Sequence, residues 1–268
     1  MPKLIISSCL LLMAALAGCA NTASNNSVTQ VNRSPIAYHY ERGTANPQYP
    51  TIVFQSGLGD DQTVWLGVLQ RLGKQASSFS YDRPGYGASA ATSMARDPCH
   101  IAQEQRVLLK SAGVKPPYIL VGHSLGGLYE YTYAQLYPEE VAGLVLLDPT
   151  HPQHWQRIQT ELPHISTLLS TATMLMGTTA RQEFKAQQNC LNQLKPELTA
   201  QTPARLLLSS QRQALEQGAF ERLIKQLALD WQRITHAPQI QNSPSGHYIQ
   251  KEQPELVVNA IHELLRIK

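Results

Sequence analysis

The chain has 268 residues, 43% of them hydrophobic and 15% charged, with a formal net charge of +3. That composition suits one globular domain with a large core and a small excursion. The basic residues are scattered, with no basic stripe or aromatic platform interleaved with Lys or Arg, which argues against nucleic acid as a partner.

The first residues read as a targeting segment. Lys3 precedes an apolar run, Leu4 to Ala17, broken only by Ser7 and Ser8. That length suits a signal-peptide core and is too short for a membrane span. Leu16-Ala17-Gly18-Cys19 resembles a bacterial lipobox, and the resemblance implies cleavage before Cys19 and lipidation of that cysteine. An ordinary signal peptide cut near Ala20 is the alternative. Ala20 stands where an inner-membrane retention signal would have Asp, so the resemblance points to the outer membrane of a bacterial envelope. Asn21 to Asn32 is rich in Ser, Thr and Asn and reads as a flexible tether. The expected organisation is a signal over 1–18, a tether over 19–34 and a folded domain over 35–268.

Ile36 to Tyr40 reads as a short strand, and Thr51 to Gln55 as a second, nearly all β-prone. The second runs into the loop Ser56-Gly57-Leu58-Gly59-Asp60-Asp61. Thr63 to Leu72 carries Val64, Trp65, Val68, Leu69 and Leu72 at helical spacing, with Trp65 as a core residue. Phe79 to Asp82 is a strand leading into Arg83-Pro84-Gly85-Tyr86-Gly87-Ala88-Ser89, where Pro84 stiffens the turn. A structural ion pair is the expected role of Asp82 and Arg83. Cys99 to Ala112 is an amphipathic helix. Once Cys9 leaves with the signal and Cys19 takes lipid, Cys99 and Cys190 remain, an even pair in an oxidising compartment. They are expected to form a disulfide, the alternative being two separate buried thiols. No CxxC and no H-x-x-x-H spacing suggests a zinc site, and no metal is expected.

Tyr118 to His123 is a buried strand, followed by Ser124 and a helical stretch from Leu125 to Tyr137. Gly122-His123-Ser124-Leu125-Gly126 fits G-x-S-x-G in the strand–turn–helix context the motif requires. There the serine hydroxyl stands clear of the sheet, and the helix amides face the place where an oxyanion forms. Val141 to Leu147 is another buried parallel-type strand ending at Asp148, and a strand's carboxyl end is where an open α/β sheet places site residues.

Residues 151–203 depart from strand patterning and read as a helical cap over the site. Met and Leu there suit either an apolar substrate group or a core internal to the cap. Ala204 to Leu208 is a strand with no carboxylate at its tip, and Ser210 to Ile234 is helical. Pro238 to Asn242 is a weak last strand, followed by Gly246-His247 and a closing helix from Pro254 to Ile267 that starts with proline.

Over most of residues 50–150 these motifs resemble the α/β-hydrolase superfamily, and the Gly246-His247 pair resembles its triad histidine. The resemblance implies an α/β fold with a mostly parallel, doubly wound sheet and a small helical cap. It implies Ser124 as nucleophile, His247 as base, and the backbone amides of Leu58 and Leu125 as oxyanion donors. Gln55-Ser56 departs from the more usual His at the loop entry and puts the side-chain contacts there in doubt. Asp148 is the expected acid, with Glu216 and Asp230 as rivals. His123 and His151 compete with His247; His123 is expected to pack locally, and His151 lies at the cap entrance.

The implied activity is hydrolysis of a carboxylic ester with a small or medium apolar acyl group, through an acyl-enzyme and without a cofactor. The expected partners are a small-molecule ester and, through the lipid anchor, a membrane. Ser at the elbow argues against a haloalkane dehalogenase, which needs a carboxylate nucleophile. Peptidase, amidase, lactonase and cofactor-free haloperoxidase chemistry stay open, as does a surface lipoprotein that keeps the fold as a binding scaffold.

Overall fold

The computed structural model describes residues 26–32, 34–195, 197–199, 201–211 and 217–266. The signal, Cys19 and the rival acid Glu216 lie outside the described residues.

Alternation within apolar runs builds the sheet. In β3 (Thr51–Gln55), β5 (Tyr118–His123), β6 (Val141–Leu147) and β7 (Ala204–Ser209), successive side chains go to opposite faces. Ile52, Phe54, Ile119, Val121, Val145, Leu147 and Leu207 join one core cluster. Val53, Leu120, Leu144, Leu146, Leu206 and Leu208 join the other. Both faces are buried, so these strands read as continuous apolar runs. Helices α1 (Leu66–Leu72) and α9 (Pro254–Leu265) cover the first face. Helices α2 (Pro98–Ser111), α3 (Leu125–Leu136) and α7 (Ala219–Thr235) cover the second.

The sheet has eight strands in the order β1-β2-β4-β3-β5-β6-β7-β8, where β1 is Ser27–Val31, β2 is Ser34–Glu41, β4 is Ser78–Tyr81 and β8 is Ile240–Ser243. β1 and β2 are antiparallel to their neighbours, and the remaining pairs are parallel. From β3 the chain steps to β4 on one side. It then crosses back to β5 and continues outward to β8 on the other. The reversal lies between β3 and β5, and the carboxyl ends at such a switch point form the natural crevice of an open sheet.

Three expectations change. Ser27–Val31 is not tether: it pairs in register with Ser34–Tyr38. Backbone hydrogen bonding and the single buried side chain of Val31 hold this edge strand, and one apolar anchor leaves no alternating pattern to read. The helix expected from Thr63 opens as a 3-10 turn over Gln62–Trp65, and Trp65 is fully buried as expected. Helix α7 starts at Ala219 rather than at Ser210, and Arg212 to Glu216 lie outside the described residues.

The excursion is helical. It contains α4 (His154–Glu161), α5 (Pro163–Ala172) and α6 (Thr178–Ala186). Ile158 packs with Leu223 and Leu227 of α7, and Trp155, Leu162, Ile165 and Leu169 close around them. Most of the apolar residues of α4 and α5 therefore form a core internal to the cap. Leu168, Met174 and Leu175 instead face solvent, Leu175 at 92% exposure. No residue of α5 is fully buried, which makes it the least anchored helix of the cap. A disulfide between Cys99 and Cys190, 91 residues apart, ties the segment after α6 to the start of α2, as expected. Helix α8 (Ile249–Glu252) leads into α9, which carries proline in its first turn.

Candidate active site

Ser124 joins β5 to α3 at φ 53° and ψ −122°, a conformation that side-chain-bearing residues rarely adopt. Two close approaches hold it. A Cβ on Gly122 would stand 2.6 Å from Gly126 O, and one on Gly126 would stand 2.3 Å from Gln55 O. Only glycine permits either crossing. Outside the elbow, the Ser124 amide donates to Leu147 O at 3.0 Å, and its carbonyl accepts from Thr150 N at 2.9 Å.

The same contacts press the β3 loop against the elbow. A Cβ on Gly57 would lie 3.4 Å from Ser124 Cβ. Leu58 follows Gly57 and packs against the apolar cluster that includes Leu125, Leu128 and Tyr129. The two residues expected to donate amides to an oxyanion thus share one local cluster, and Leu125 opens α3.

Asp148 follows β6 at φ 42°, one of the few non-glycine positions with positive φ. Asp tolerates this region better than most residues. Its Oδ2 lies 2.6 Å from His247 Nδ1. A carboxylate accepts, so Nδ1 carries the proton and Nε2 presents its lone pair. The Asp148 carboxylate also accepts from Ser209 Oγ at 2.9 Å and from Ser209 N at 3.3 Å. Ser209 occupies the tip of β7, where the sequence has no carboxylate.

His123 holds the other side of His247. Its Nε2 donates to the His247 carbonyl at 2.9 Å, and the two rings lie 4.6 Å apart. Burial, aided by the neighbouring His247, lowers the His123 pKa to about 3, so it stays neutral. It packs locally, as expected, and in doing so fixes the backbone of the proposed base. The Gly246 amide donates to Glu252 Oε2 at 3.0 Å and pins the same loop. The His247 side chain itself is 44% exposed.

The rival groups are engaged elsewhere. Asp230 lies 3.0 Å from His151 Nε2 and accepts from Arg233 Nε at 2.8 Å. His151 is buried against Trp231. Burial lowers its pKa to about 4, with Asp230 opposing that shift. His151 and Asp230 line a cavity of about 750 Å³ with Tyr131, Gln156, Lys195 and Arg233. Ser124, Asp148 and His247 do not line that cavity. Among the described residues, Asp97, Cys99 and Cys190 bring ligand-type atoms within 4.8 Å of one another, but the disulfide occupies both sulfurs.

Asp82 and Arg83 do not pair with each other. Asp82 accepts from the amides of Gln62 and Ala88, each at 2.9 Å, and so holds its own loop. Arg83 pairs with Glu183, 100 residues away in α6. Gln55, whose contacts the sequence left in doubt, is buried between Arg83, Tyr81 and Gln105. Ser56 Oγ accepts from Trp65 Nε1 at 3.0 Å. Sequence reasoning missed the roles of Ser209, Gln55 and Glu183. A polar residue inside an apolar run, as at Gln55, is the one signal that pointed to any of them.

The family model for the alpha/beta hydrolase fold matches residues 50–253, well over half of the chain. The chain belongs to the α/β-hydrolase family. It is therefore a hydrolase, with the sheet of that family. One similar protein is the uncharacterized protein YqjL of Bacillus subtilis (strain 168). It is 27% identical over 226 residues, which cover 80% of this chain and 83% of that one. The (Lyso)-N-acylphosphatidylethanolamine lipase of Bos taurus is 31% identical over 102 residues, covering 37% of this chain and 30% of the lipase. The crystal structure of a membrane phospholipase A, described as a bacterial virulence factor, superposes with a TM-score of 0.66 at 19% identity. That alignment covers 91% of this chain and 87% of that one, and at such identity it speaks for the fold alone.

Proposed function

We propose that this hydrolase cleaves carboxylic esters of small or medium apolar acyl groups through an acyl-enzyme on Ser124. The observation that carries the reading is the 2.6 Å contact between Asp148 Oδ2 and His247 Nδ1, with Asp148 following the strand that neighbours the one leading into the strained Ser124. The lipase among the similar proteins supports an ester as substrate.

His247 Nε2 takes the hydroxyl proton as Ser124 Oγ attacks the ester carbonyl. Asp148 holds the imidazole tautomer and stabilises the imidazolium. The amides of Leu58 and Leu125 receive the oxyanion, and losing one such donor typically costs about 10²–10³ in rate. The proton on His247 passes to the leaving alkoxide. Water then attacks the acyl-enzyme with His247 as base, releasing the acid and restoring Ser124. Lipidation of Cys19 would hold this chemistry at the bacterial envelope, on the outer membrane.

The test is hydrolysis of p-nitrophenyl esters of increasing chain length by the full chain in detergent, with Ser124→Ala as control. Ser124-dependent turnover supports the ester reading, and its optimum reports the acyl length. Absence of turnover with intact fluorophosphonate labelling of Ser124 moves the reading to amide or peptide bonds. Absence of both defeats it.

A further inference from the structure

Arg83 stands between the oxyanion loop and the cap, and all five of its N–H donors are used. Nη1 donates to Ser56 O at 2.6 Å and to Gln55 Oε1 at 3.0 Å. Nη2 donates to Gly57 O at 2.7 Å and to Glu183 Oε2 at 3.0 Å. Nε donates to Glu183 Oε1 at 3.1 Å. The guanidinium lies between the rings of Tyr86 and Tyr129, at 4.9 and 5.3 Å from their centroids. Glu183 is itself saturated, since Tyr86 OH donates to Oε2 at 3.0 Å and Arg96 Nη2 to Oε1 at 2.9 Å. Arg83 and Glu183 are 1% and 0% exposed.

We propose that Arg83, held by Glu183 of the cap helix α6, is the positioning residue that aims the Leu58 amide at the oxyanion. Cap and oxyanion hole then form one mechanical unit. The inference rests on the proposed acyl-transfer reading. Gly57 O and the Leu58 N–H belong to one peptide group. In a trans peptide the two point to opposite sides of the same plane. A donor that grips Gly57 O from the Arg83 side therefore turns the Leu58 N–H away from Arg83. The second grip, on Ser56 O, fixes the preceding peptide and removes the rotation that would let the first one swing. Gly57 lies against Ser124, so the loop fixed in this way is the one beside the nucleophile.

Stability alone does not require this arrangement. Well-packed apolar residues often replace a buried ion pair at no loss. An apolar pair cannot hold two consecutive carbonyls. A lysine, with three donors radiating from one point, cannot hold both carbonyls and both Glu183 oxygens at once as the planar fork does. The guanidinium suits both tasks, gripping backbone on one edge and the cap carboxylate on the other.

The test compares Arg83→Lys and Glu183→Gln with wild type in the full chain, counting active sites by exhaustive fluorophosphonate titration. Turnover of a p-nitrophenyl ester and inhibition by an alkyl trifluoromethyl ketone, whose adduct carries an oxyanion, are measured per titrated site. Arg83→Lys is expected to lose about 10²-fold in kcat, near the effect of one oxyanion donor, with KM within about twofold. Ketone affinity should fall by the same factor as kcat/KM. Glu183→Gln keeps the carbonyl grip and loosens only its anchor, so its loss should be smaller, about tenfold, with the same kcat-only pattern. It carries the test if Arg83→Lys does not fold. A purely structural role lowers Tm and the number of titratable sites but leaves kcat and ketone affinity per site at wild-type values, and that result overturns the inference. A wild-type protein without Ser124-dependent turnover or labelling instead defeats the parent reading, and this one with it.

Discussion

Ser209 donates its hydroxyl to Asp148 Oδ2 at 2.9 Å, from the tip of the strand beside the one that carries Asp148. The same oxygen meets His247 Nδ1 at 2.6 Å. The β7 tip has no acid of its own, and it supplies the hydrogen bond that orients the acid on β6.

Two strand tips therefore meet at one carboxylate, and that carboxylate meets the imidazole. Asp148→Asn should lower kcat by about 10⁴, by favouring the wrong imidazole tautomer. Ser209→Ala should cost far less, about tenfold, because the carboxylate keeps its contact with His247. Since Ser209 Oγ is within hydrogen-bond reach of Asp148 Oδ2, the double variant Asp148→Asn/Ser209→Asp should recover part of the loss. Steady-state kinetics on one p-nitrophenyl ester decides all three. Near-normal activity in Asp148→Asn would remove Asp148 from the triad.

The Cys99–Cys190 bond closes a loop with a sequence separation of 91 residues and spans from α2 to the end of the cap. Breaking it frees a long segment in the unfolded chain and lets the end of the cap part from α2. Cys99→Ser/Cys190→Ser should lose about 2–4 kcal/mol in denaturant unfolding. Wild type with reductant should lose the same amount, and an unchanged midpoint would show that the loop contributes no constraint.

His154 tests burial against pH. Its Nε2 is buried with no hydrogen-bond partner among the described residues, its ring lies 6.3 Å from Phe220, and burial lowers its pKa to about 4. Its ordinary value is 6.5. With the folded value depressed, the unfolded chain binds the proton first as pH falls. Stability from this group is therefore present above pH 6.5 and lost as pH falls towards 4. His154→Phe should flatten the pH dependence of unfolding below pH 6.5 by up to about 1.4 kcal/mol per pH unit relative to wild type. Parallel curves for the two proteins would contradict the assignment.

Glu130 carries the opposite sign. It is fully buried in α3, where its carboxyl accepts from Gln105 Nε2 at 3.1 and 2.9 Å. Burial raises its pKa well above 4.5, and Gln105 offsets only part of that. The folded state holds a proton that the unfolded state releases, so stability falls as pH rises above 4.5. Glu130→Gln keeps the shape and cannot ionise. It should be more stable than wild type, by an increment that grows from pH 5 to pH 8. Calorimetric Tm values across that range would show it, and a constant difference would not fit.

The amino-acid order by itself determined whatever depends on neighbours along the chain. Apolar runs of strand length, the glycines around Ser124 and the Gly246-His247 pair are local patterns, because backbone angles and side-chain period are set within a few residues. Tertiary structure decided which groups meet. Asp148 was the expected acid from its place at a strand's end and Asp230 a rival; it took the fold to put the first beside His247 and the second, on α7, against His151 and Arg233. The partner of Arg83 lies 100 residues away, beyond the reach of any spacing rule. The apolar residues of the cap divided between an internal core and the solvent-facing Leu168, Met174 and Leu175 only once α7 was packed against α4. Strand β1 joined the sheet mainly through backbone hydrogen bonds, with Val31 as its one core side chain, and backbone pairing leaves little mark in side-chain pattern.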